Sequence, residues 1–546
     1  MSRLRAPSIG PIVGHTTDTS CRLWIRGAGR GDSGSDLSED RRTVGVISII
    51  EVDGVAVPNA QGRAYYFRLH REYDRTGTFN LGVDNSFKKP GQKIVPLKPN
   101  TSYVVRMGSL TLDDPIANDD TAESSDLSDR MPAASVWIHD LTNLDPKTCE
   151  ASFRTYESRE KPDADLSFLL GSCRYPGLLW KRKHADKIFR PMNEHVEAGD
   201  ISFVLLVGDQ IYADMLNKNI PIGLADTFEE FQERYHSAFG SPNMAKLLRS
   251  CPHYMILDDH EIADNWTQDQ IEEKRFLFNL AIGSYCSYQW SHCPRNFGSR
   301  LYYSFECEGY PFFVLDGRTD RYKGDDDSLD DNHLLGLPSF SGDDPSQLEI
   351  LLSWLDEQQA KIGDAPKFIV SASVFVPNNV KTTKGDDKKR LLKQHASDSW
   401  PAFPKTRKAL LQKIVNRGVQ NVVFLSGDVH CSNVAEMTFS GTAEAERLKV
   451  FSVTSSALYW PFFFADGEPS HYVHDSEDED TPDTFKVNDA VSMNYTAKGF
   501  TQEDNFCRLK VDRGGHQLVI EVFGKDGKPI KKKNKKLRTE FTLAEW

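Results

Sequence analysis

The 546-residue sequence predicts an α/β region preceded by an all-β region. Two observations support this division. Up to about residue 155, apolar and polar residues alternate in short segments separated by turn residues, which is typical of half-buried strands. From Leu166 onward, short continuous apolar runs alternate with longer segments of helical periodicity. Buried strands that alternate with helices are typical of layered α/β folds.

The first region reads as several short strands. Residues 20–26, 43–52, 63–69 and 101–106 alternate, and Asp53-Gly54 and Pro99-Asn100 mark turns between them. Strands at this spacing indicate a sandwich of the immunoglobulin or fibronectin type. The polar segments 31–42 and 113–130 are predicted loops, and the charged segment 159–165 is a candidate linker. We therefore expect an N-terminal β-sandwich domain over residues 1–158.

The remainder, residues 159–546, is expected to form one α/β domain. Its predicted strands are the apolar runs 168–170, 203–207, 254–257, 312–315, 368–370, 422–425 and 450–453, and its predicted helices are 191–197, 228–238, 346–361 and 405–416. The acidic segment 475–483 is predicted to be a solvated loop. At the C-terminus, a strand at 516–524, the turn Asp526-Gly527 and a lysine-rich stretch predict a hairpin with a basic edge strand.

Composition excludes several classes of protein. The net charge is −13, from 66 basic and 79 acidic residues, which argues against stable nucleic-acid binding over a broad basic surface. The nine cysteines contain no C-x-x-C pair, so neither a structural zinc site nor a thioredoxin motif is indicated. No apolar run approaches the ~20 residues of a membrane span. Without a visible signal peptide we expect a cytoplasmic protein, or an extracellular or periplasmic one if a signal has been removed.

The predicted strands share one feature, since reactive side chains follow many of them directly. Five runs lead into GSC (171–173), GDQIY (208–212), DDHE (258–261), DGR (316–318) and SGDVH (426–430). Ligand sites in α/β proteins lie at the carboxyl ends of the strands, so we expect these side chains to meet at one rim. A single Asp after a strand is more typical of a turn or a helix cap.

Crowded carboxylates are costly to ionise unless cations balance them. The sequence therefore predicts two metal ions at this rim. Carboxylates suit Ca²⁺, Mg²⁺ or Mn²⁺, whereas a thiolate, a phenolate and an imidazole suit iron or another transition metal. A centre of mixed metals is expected.

The five motifs, in this order, resemble the PhoD-like alkaline phosphatase/phosphodiesterase family of the metallophosphoesterases. The stretches 10–26 and 97–103 resemble the β-sandwich that precedes the catalytic domain in that family. The resemblance implies an αββα catalytic fold after an immunoglobulin/fibronectin-like sandwich. It also implies a metal-dependent phosphoester hydrolase that uses ferric iron and calcium, with Mn, Mg or Zn as alternatives.

The resemblance also implies roles for particular residues. Asp209 would bridge the metals, and Cys173 and Tyr212 would bind ferric iron. The remaining implied ligands are Asp259, Asn265, Asp428 and His430. His260 would face the substrate phosphate and protonate the leaving oxygen, with Glu261 either orienting it or capping a helix. Arg318 and Arg321 would contact the phosphate or brace the site.

The sequence departs from the family pattern around the pocket. The stretch 398–403 reads DSWPAF in place of a pattern with Gly and Tyr, and 373–378 reads SVFVPN in place of a Gln-containing turn. These departures concern the choice of substrate more than catalysis. The aromatic run 459–464 is expected to pack in the core, with an apolar pocket as the alternative.

Three functions follow as alternatives. The first is a general phosphatase/phosphodiesterase acting on small-molecule phosphoesters. The second is a phospholipase or nucleotide-specific phosphodiesterase, and the third is a non-catalytic binding protein on a degenerate phosphatase fold. The oligomeric state does not follow from the sequence.

Overall fold

The computed structural model describes residues 3–28, 42–57, 63–83, 95–112, 131–176, 182–214, 223–325, 328–337, 344–383, 386–462, 475–476 and 484–546. The predicted loops at 31–42, 113–130 and 475–483 lie outside these ranges except at Arg42, Asp475 and Ser476. No helix within the ranges is both long and apolar enough to cross a lipid bilayer.

The N-terminal region consists of antiparallel strands. They are β1 (Arg3–Arg5), β2 (Ile9–Thr16), β3 (Cys21–Arg26), β4 (Thr43–Val52), β5 (Val55–Ala56), β6 (Ala64–Arg68), β7 (Thr76–Leu81), β8 (Ser102–Thr111) and β9 (Glu150–Arg154). One sheet has the order β1-β8-β4-β5, with β6 on β4 and β9 on β8, and the other has the order β2-β3-β7. Val13 and Leu23 of the smaller sheet share an apolar cluster with Ile47 and Val105 of the larger.

The strands of the second region all follow residue 165. They are β10 (Leu166–Gly171), β11 (Phe203–Val207), β12 (His253–Ile256), β13 (Tyr303–Cys307), β14 (Tyr310–Val314), β15 (Lys367–Val370), β16 (Val422–Ser426), β17 (Ser432–Ser440), β18 (Val450–Thr454), β19 (Phe485–Lys486), β20 (Ser492–Thr501), β21 (Asn505–Asp512), β22 (Gln517–Gly524), β23 (Lys531–Lys532), β24 (Lys535–Lys536) and β25 (Arg538–Thr542).

Apart from β23 and β24, which pair only with each other, these strands form two large mixed sheets. One has the order β12-β11-β10-β21-β22-β25, and the other β13-β14-β15-β16-β18-β17-β20-β19. The pairs β10–β11 and β11–β12 are parallel in the first sheet, as are the pairs among β14, β15, β16 and β18 in the second. The rings of Phe168 and Phe203 in the first sheet lie 5.6 and 5.3 Å from that of Phe312 in the second. The two sheets therefore pack face to face.

Helices pack against the sheets of both regions. The described helices are α1 (Ile138–Thr142), α2 (Pro146–Cys149), α3 (Arg182–Ala185), α4 (Phe189–Glu197), α5 (Phe228–Phe239), α6 (Pro242–Leu248), α7 (Ile271–Tyr288), α8 (Gln347–Ile362), α9 (Val380–Thr383), α10 (Asp387–Ala396) and α11 (Pro404–Arg417). A capping box between Ser346 and Glu349 begins α8, and Gly418 in the left-handed conformation ends α11. The α/β class predicted from the sequence is confirmed.

Two details differ from the expectation. The basic stretch does not form the edge strand of the final hairpin, because β25 pairs with β22 at the sheet edge and the lysines form the separate hairpin β23–β24. The helix α7 was not predicted. Its apolar residues surround the helix almost evenly, so it lacks the one-sided periodicity by which a surface helix is recognised.

Candidate metal centre

The chain turns sharply after each strand that carries a predicted ligand. Cys173, Asp209, Asp428 and His430 have φ of +56°, +55°, +69° and +53°. Left-handed backbone costs roughly 1–2 kcal/mol at a residue other than glycine. Gly208, at φ +91°, precedes Asp209, and a Cβ there would lie 2.4 Å from the Cβ of Asp258. Strained turns therefore gather at the predicted rim.

The rim is assembled from the strand ends of both sheets. The rule that ligand sites lie at the carboxyl ends of the strands describes a single sheet. Cys173, Asp209 and Asp259 follow β10, β11 and β12 of the first sheet, and Asp428 and His430 follow β16 of the second. Face-to-face packing brings these strand ends together. Side chains predicted separately from five motifs thus share one site.

Three groups of side chains could each hold a metal ion. Within each group, the ligating atoms lie within 4.8 Å of one another. The groups are Cys173–Asp209–His430, Asp209–Asp259–His260 and Asp258–Asp259–Asp428. Asp209 belongs to the first two groups, which is the position expected of a bridging carboxylate. The hydroxyl of Tyr212 donates to Oδ2 of Asp209 at 3.2 Å and lies 3.4 Å from Nε2 of His430.

The donor set fits bound cations. Oδ1 of Asp209, Oδ2 of Asp258 and Nδ1 of His430 are buried and have no hydrogen-bond partner among the described residues. Buried polar atoms without partners are rare and costly. Burial lowers the pKa of His430 to about 3, so its imidazole is neutral, as a metal ligand must be.

Several of these groups resist ionisation in the absence of a cation. Burial, and then the charges of Asp258 and Asp259, raises the pKa of Asp209 well above its usual range despite the nearby His260. Burial and Asp258 likewise raise the pKa of Asp428, and burial and Asp209 raise that of Cys173. Positive charge is therefore needed for the full set to ionise.

A second set of charges is arranged around Arg318. Its guanidinium is fully buried and lies 2.5 Å from Asp258, 2.7 Å from Asp398, 3.3 Å from Asp259 and 3.6 Å from Asp428. Although burial raises the pKa of Asp259, Arg318 outweighs this effect and the pKa is lowered. Arg318 therefore braces the carboxylates from beneath.

Arg321 contributes to the same brace. It is fully buried, lies 3.2 Å from Asp398 and donates to Gly317 O and to Ser373 Oγ. Lys323 also lies 3.5 Å from Asp398. Of the two roles expected for the arginines, these contacts match bracing. Neither guanidinium is exposed for contact with a phosphate.

His260 is held by a residue that sequence reasoning missed. Nδ1 of His260 lies 2.8 Å from Oδ1 of Asp214, which is buried. Burial lowers the pKa of the imidazole, but nearby carboxylates, Asp214 above all, outweigh burial and raise it. Asp214 lies two residues after Tyr212, and this closeness to a predicted ligand is the only sequence feature that could have identified it.

Glu261 does not orient His260. Its carboxylate accepts hydrogen bonds from the backbone amides of Asp209, Gln210 and Asp258 at 3.1, 2.7 and 2.9 Å and from Gln289. It also forms a capping box with Asp258 at the short helix Asp259–Glu261. Of the two roles expected for Glu261, capping is the one observed, and the residue fixes two ligand loops to each other.

A cavity of about 300 Å³ opens on the site. Asp259, His260, Asn265, Asp428 and His430 line its inner part, and Asn379, Thr382, Lys393, Ser397 and Asp398 are among the residues that line the rest. The amide N–H of Asn265 donates to Oδ2 of Asp259 at 2.6 Å. Asn379 and Lys393 were not singled out from the sequence, because they lie in a polar segment without a recognisable motif.

The departures from the family pattern fall mainly in the core. In the stretch 398–403, Trp400, Ala402 and Phe403 are buried, and Arg321 lies 5.3 Å above the ring of Phe403. Only Asp398 and Ser399 of that stretch line the cavity. The altered residues thus change the support of the site rather than its surface.

The aromatic run borders the metal centre. The ring of Trp460 stacks on His430 with centroids 3.6 Å apart, and Tyr175 contacts Tyr212, Trp460 and Phe462 at 5.0–5.4 Å. Residues 463 and 464 lie outside the described ranges. The described part of the run packs against the predicted ligands, and Trp460 remains partly exposed.

Comparison with known proteins identifies relatives. Residues 172–502 match the family described as PhoD-like phosphatase, about three fifths of the chain. Alkaline phosphatase D of Bacillus subtilis (strain 168) is 24% identical over 220 residues, which span 38% of this chain and 36% of that protein. The chain thus matches about a third of that relative's length. The solved structure of PhoD has a TM-score of 0.61 at 16% identity, covering 98% of this chain and 89% of the other, which shows a shared fold. The resemblance predicted from the motifs is confirmed.

Proposed function

Because this chain belongs to the PhoD-like phosphatase family, we propose that it hydrolyses phosphoesters at the rim centred on Asp209. The observation that carries the proposal is the place of Asp209 between Cys173 and His430 in one group of ligating atoms and Asp259 in another. Such a carboxylate suits a pair of cations that share one ligand. The proposed substrates are small-molecule phosphomonoesters or phosphodiesters.

The residues divide into two ligand sets. Cys173, Tyr212 and His430, with Asp209, would hold ferric iron, since thiolate, phenolate and imidazole suit a transition metal. Asp259, Asn265 and Asp428, again with Asp209, would hold calcium, because they offer oxygen ligands. Bound cations of this kind neutralise phosphate charge and lower the pKa of water.

His260 is the proposed proton donor. Its Nδ1 is held by Asp214, and among the described residues Nε2 makes no hydrogen bond. Despite burial, Asp214 raises the pKa of the imidazole, which favours the protonated form that donates Nε2–H to the leaving oxygen. Asp214 fixes the ring and stabilises its positive charge.

Arg318 and Glu261 act through position. Arg318 holds Asp258, Asp259 and Asp398 in place, and Glu261 joins the loops of Asp209 and Asp258. Neither contacts the cavity that opens on the site. They keep the ligands in register before substrate binds.

Two finer assignments are part of the proposal. Residues 1–158 would form a separate domain of the immunoglobulin or fibronectin type, and residues 159–546 the catalytic domain. The apolar cluster shared by the two N-terminal sheets supports the first assignment. The cellular location stays a prediction.

The test is hydrolysis of bis-p-nitrophenyl phosphate and p-nitrophenyl phosphate by protein loaded with iron and calcium. Turnover should fall by at least about 10³-fold in Asp209→Ala, because both ligand sets lose a member. Asp163→Ala removes an exposed carboxylate elsewhere and should leave turnover unchanged. The ratio of diester to monoester turnover sets the reaction class.

Equal turnover in the wild type and Asp209→Ala would contradict the proposed centre. Bound metal without turnover of either ester would favour the lipid- or nucleotide-specific alternative, which phospholipids and nucleotide esters then test. Absence of both metal binding and turnover would favour a non-catalytic binding protein.

A further inference from the structure

The hairpin β23–β24 carries an unusual arrangement of charge. Five of the six residues 531–536 are lysines. Lys531 lies directly opposite Lys536, and Lys532 opposite Lys535. Like charges at opposite positions of an antiparallel pair destabilise it. Folding alone therefore gives no reason for this sequence, which suggests that an external anion interacts with it.

The protein itself supplies no counter-charge to these lysines. None of the five has an ion-pair partner among the described residues, and Lys532 contacts only the face of Phe500, at 5.8 Å. The neighbouring lysines differ, since Lys525 lies 3.2 Å from Asp504 and Lys528 3.8 Å from Asp526. The positive charge of the hairpin is thus left for a ligand.

A groove of about 880 Å³ is lined by the hairpin and by Trp460, the residue that stacks on His430 of the candidate metal centre. Lys531 and Lys536 are among the residues that line it, as are Tyr459, Trp460 and Pro461. Its volume is typical of small-molecule sites. Of its acidic residues, Asp504 and Asp526 are engaged by Lys525 and Lys528, so Glu503 alone faces the lysines without such an ion pair in the described structure.

Trp460 is the boundary between the groove and the candidate metal centre. One face of its ring stacks on His430, and its backbone N–H donates to Asp504 at 3.2 Å. Its indole N–H is buried and has no partner within the described part of the chain. A substrate held at the candidate metal centre would therefore have to pass Trp460 to bring a second group to the lysines.

We propose that this groove binds a second phosphate group of the substrate. The preferred substrates would be phosphoesters that carry a further phosphate remote from the scissile one, and the inference rests on the proposed function. Lysine ammonium groups form strong charge-assisted hydrogen bonds with phosphate oxygens. A bound phosphate would also relieve the repulsion between Lys531 and Lys536.

The test compares α,ω-alkanediol bisphosphates with three, six and nine methylenes against the matching alkyl monophosphates. For the spacer that fits, KM of the bisphosphate should be about tenfold lower, which corresponds to about 1.4 kcal/mol and lies within what two surface ion pairs can contribute. The difference should shrink at high ionic strength. Calorimetric titration with the non-hydrolysable alkane bisphosphonate and monophosphonate supplies a readout independent of turnover.

The variants separate binding from folding. Lys531→Ala/Lys536→Ala should abolish the preference and leave p-nitrophenyl phosphate turnover unchanged, and Lys531→Arg/Lys536→Arg should retain the preference. Lys531→Glu should raise the melting temperature, because it faces Lys536 with an opposite charge, yet lose the preference. Lys147→Ala/Lys161→Ala makes the same charge change outside the groove and should have no effect.

Equal KM and equal affinity for mono- and bis-compounds at every spacer length would overturn the inference. Persistence of the preference in Lys531→Ala/Lys536→Ala would also overturn it. Selective binding of the bisphosphonate without hydrolysis would support the groove while contradicting the proposed function. Hydrolysis without any preference for the bisphosphates would support the proposed function and contradict phosphate binding in the groove.

Discussion

The two sides of the rim handle buried charge in opposite ways. Around Arg318, the chain's own cations outweigh burial and lower the pKa of Asp259 and Asp398. Around Cys173 and Asp209, burial outweighs the charge of His260 beside Asp209, and the pKa of both groups is raised. The chain's own cations thus favour ionisation of Asp259 and Asp398, whereas ionisation of Cys173 and Asp209 requires a bound cation.

This difference predicts that substitutions on the two sides of the rim have different effects. Loss of a charge on the arginine side leaves other buried charges unpaired, so stability falls first. Loss of a ligand on the cysteine side removes a group that already resists ionisation, so metal binding and turnover fall first. Three further predictions test the distinction, from the largest expected effect to the smallest.

Replacement of the buried cation should destabilise the fold. Arg318→Met leaves Asp258, Asp259 and Asp398 without their shared partner, and we expect a loss of about 3–5 kcal/mol in the free energy of unfolding. Urea denaturation measures it. Arg300→Met, which breaks an exposed pair with Asp344, should cost under about 1 kcal/mol. Normal stability with a raised KM would instead make Arg318 a phosphate-binding residue and remove the distinction between the two sides.

Replacement of Asp214 tests the role of His260, which it holds. Asp214→Asn keeps the shape but removes the charge that holds His260 protonated, so kcat should fall about 10- to 100-fold with little change in KM. Esters with alkyl leaving groups should lose more than p-nitrophenyl esters, because they depend more on proton donation. Asp264→Asn, at the edge of the same cavity, serves as the control. An equal loss for both leaving groups would argue against His260 as the proton donor.

Asp74 tests the same kind of bracing far from the rim. Arg26 Nε and Nη2 each lie 2.8 Å from its carboxylate, and His236 lies 2.7 Å from it. Burial raises the pKa of Asp74, but these partners and Tyr288 outweigh burial and lower it below its ordinary value of 3.8. The stabilisation is therefore fully present above this value and is lost as the pH falls below it.

We expect Asp74→Asn to lower the free energy of unfolding by about 1.5 kcal/mol at pH 7, an effect typical of charge-assisted hydrogen bonds. The difference from the wild type should shrink below pH 3.8, because protonation removes the same charge from the wild type. Denaturation between pH 7 and pH 3 measures it. Asp344→Asn, at an exposed carboxylate, should show no such trend. A difference that stays constant with pH would mean that charge does not contribute at Asp74.

The sequence and the structure agree best where local pattern suffices. The helices predicted at 228–238 and 346–361 end within one residue of Phe228–Phe239 and Gln347–Ile362. The strand predicted at 203–207 has those bounds in the structure. Long amphipathic helices and short apolar strands are specified by neighbouring residues, so a single sequence predicts them well.

Agreement is weaker where a partner lies far along the chain. Asp214 was missed because its significance depends on His260, 46 residues later. The sequence leaves two roles open for Arg318, contact with the phosphate and bracing of the site. Burial of the side chain decides between them, and no local sequence pattern indicates that burial. The lysines of residues 531–536 were read as an edge strand, although the sheet edge is formed by β25.

The sequence alone determined which chemical groups this protein brings to its strand ends: a thiol, a phenol, imidazoles and several carboxylates, each placed by a buried strand just before it. Tertiary structure decided how those groups share charge. Packing two sheets face to face set which carboxylates meet Arg318, which meet the candidate cation site, and which groove leads from Trp460 to the lysines. Electrostatic balance depends on distances between segments that are remote in sequence, and only the folded chain sets those distances.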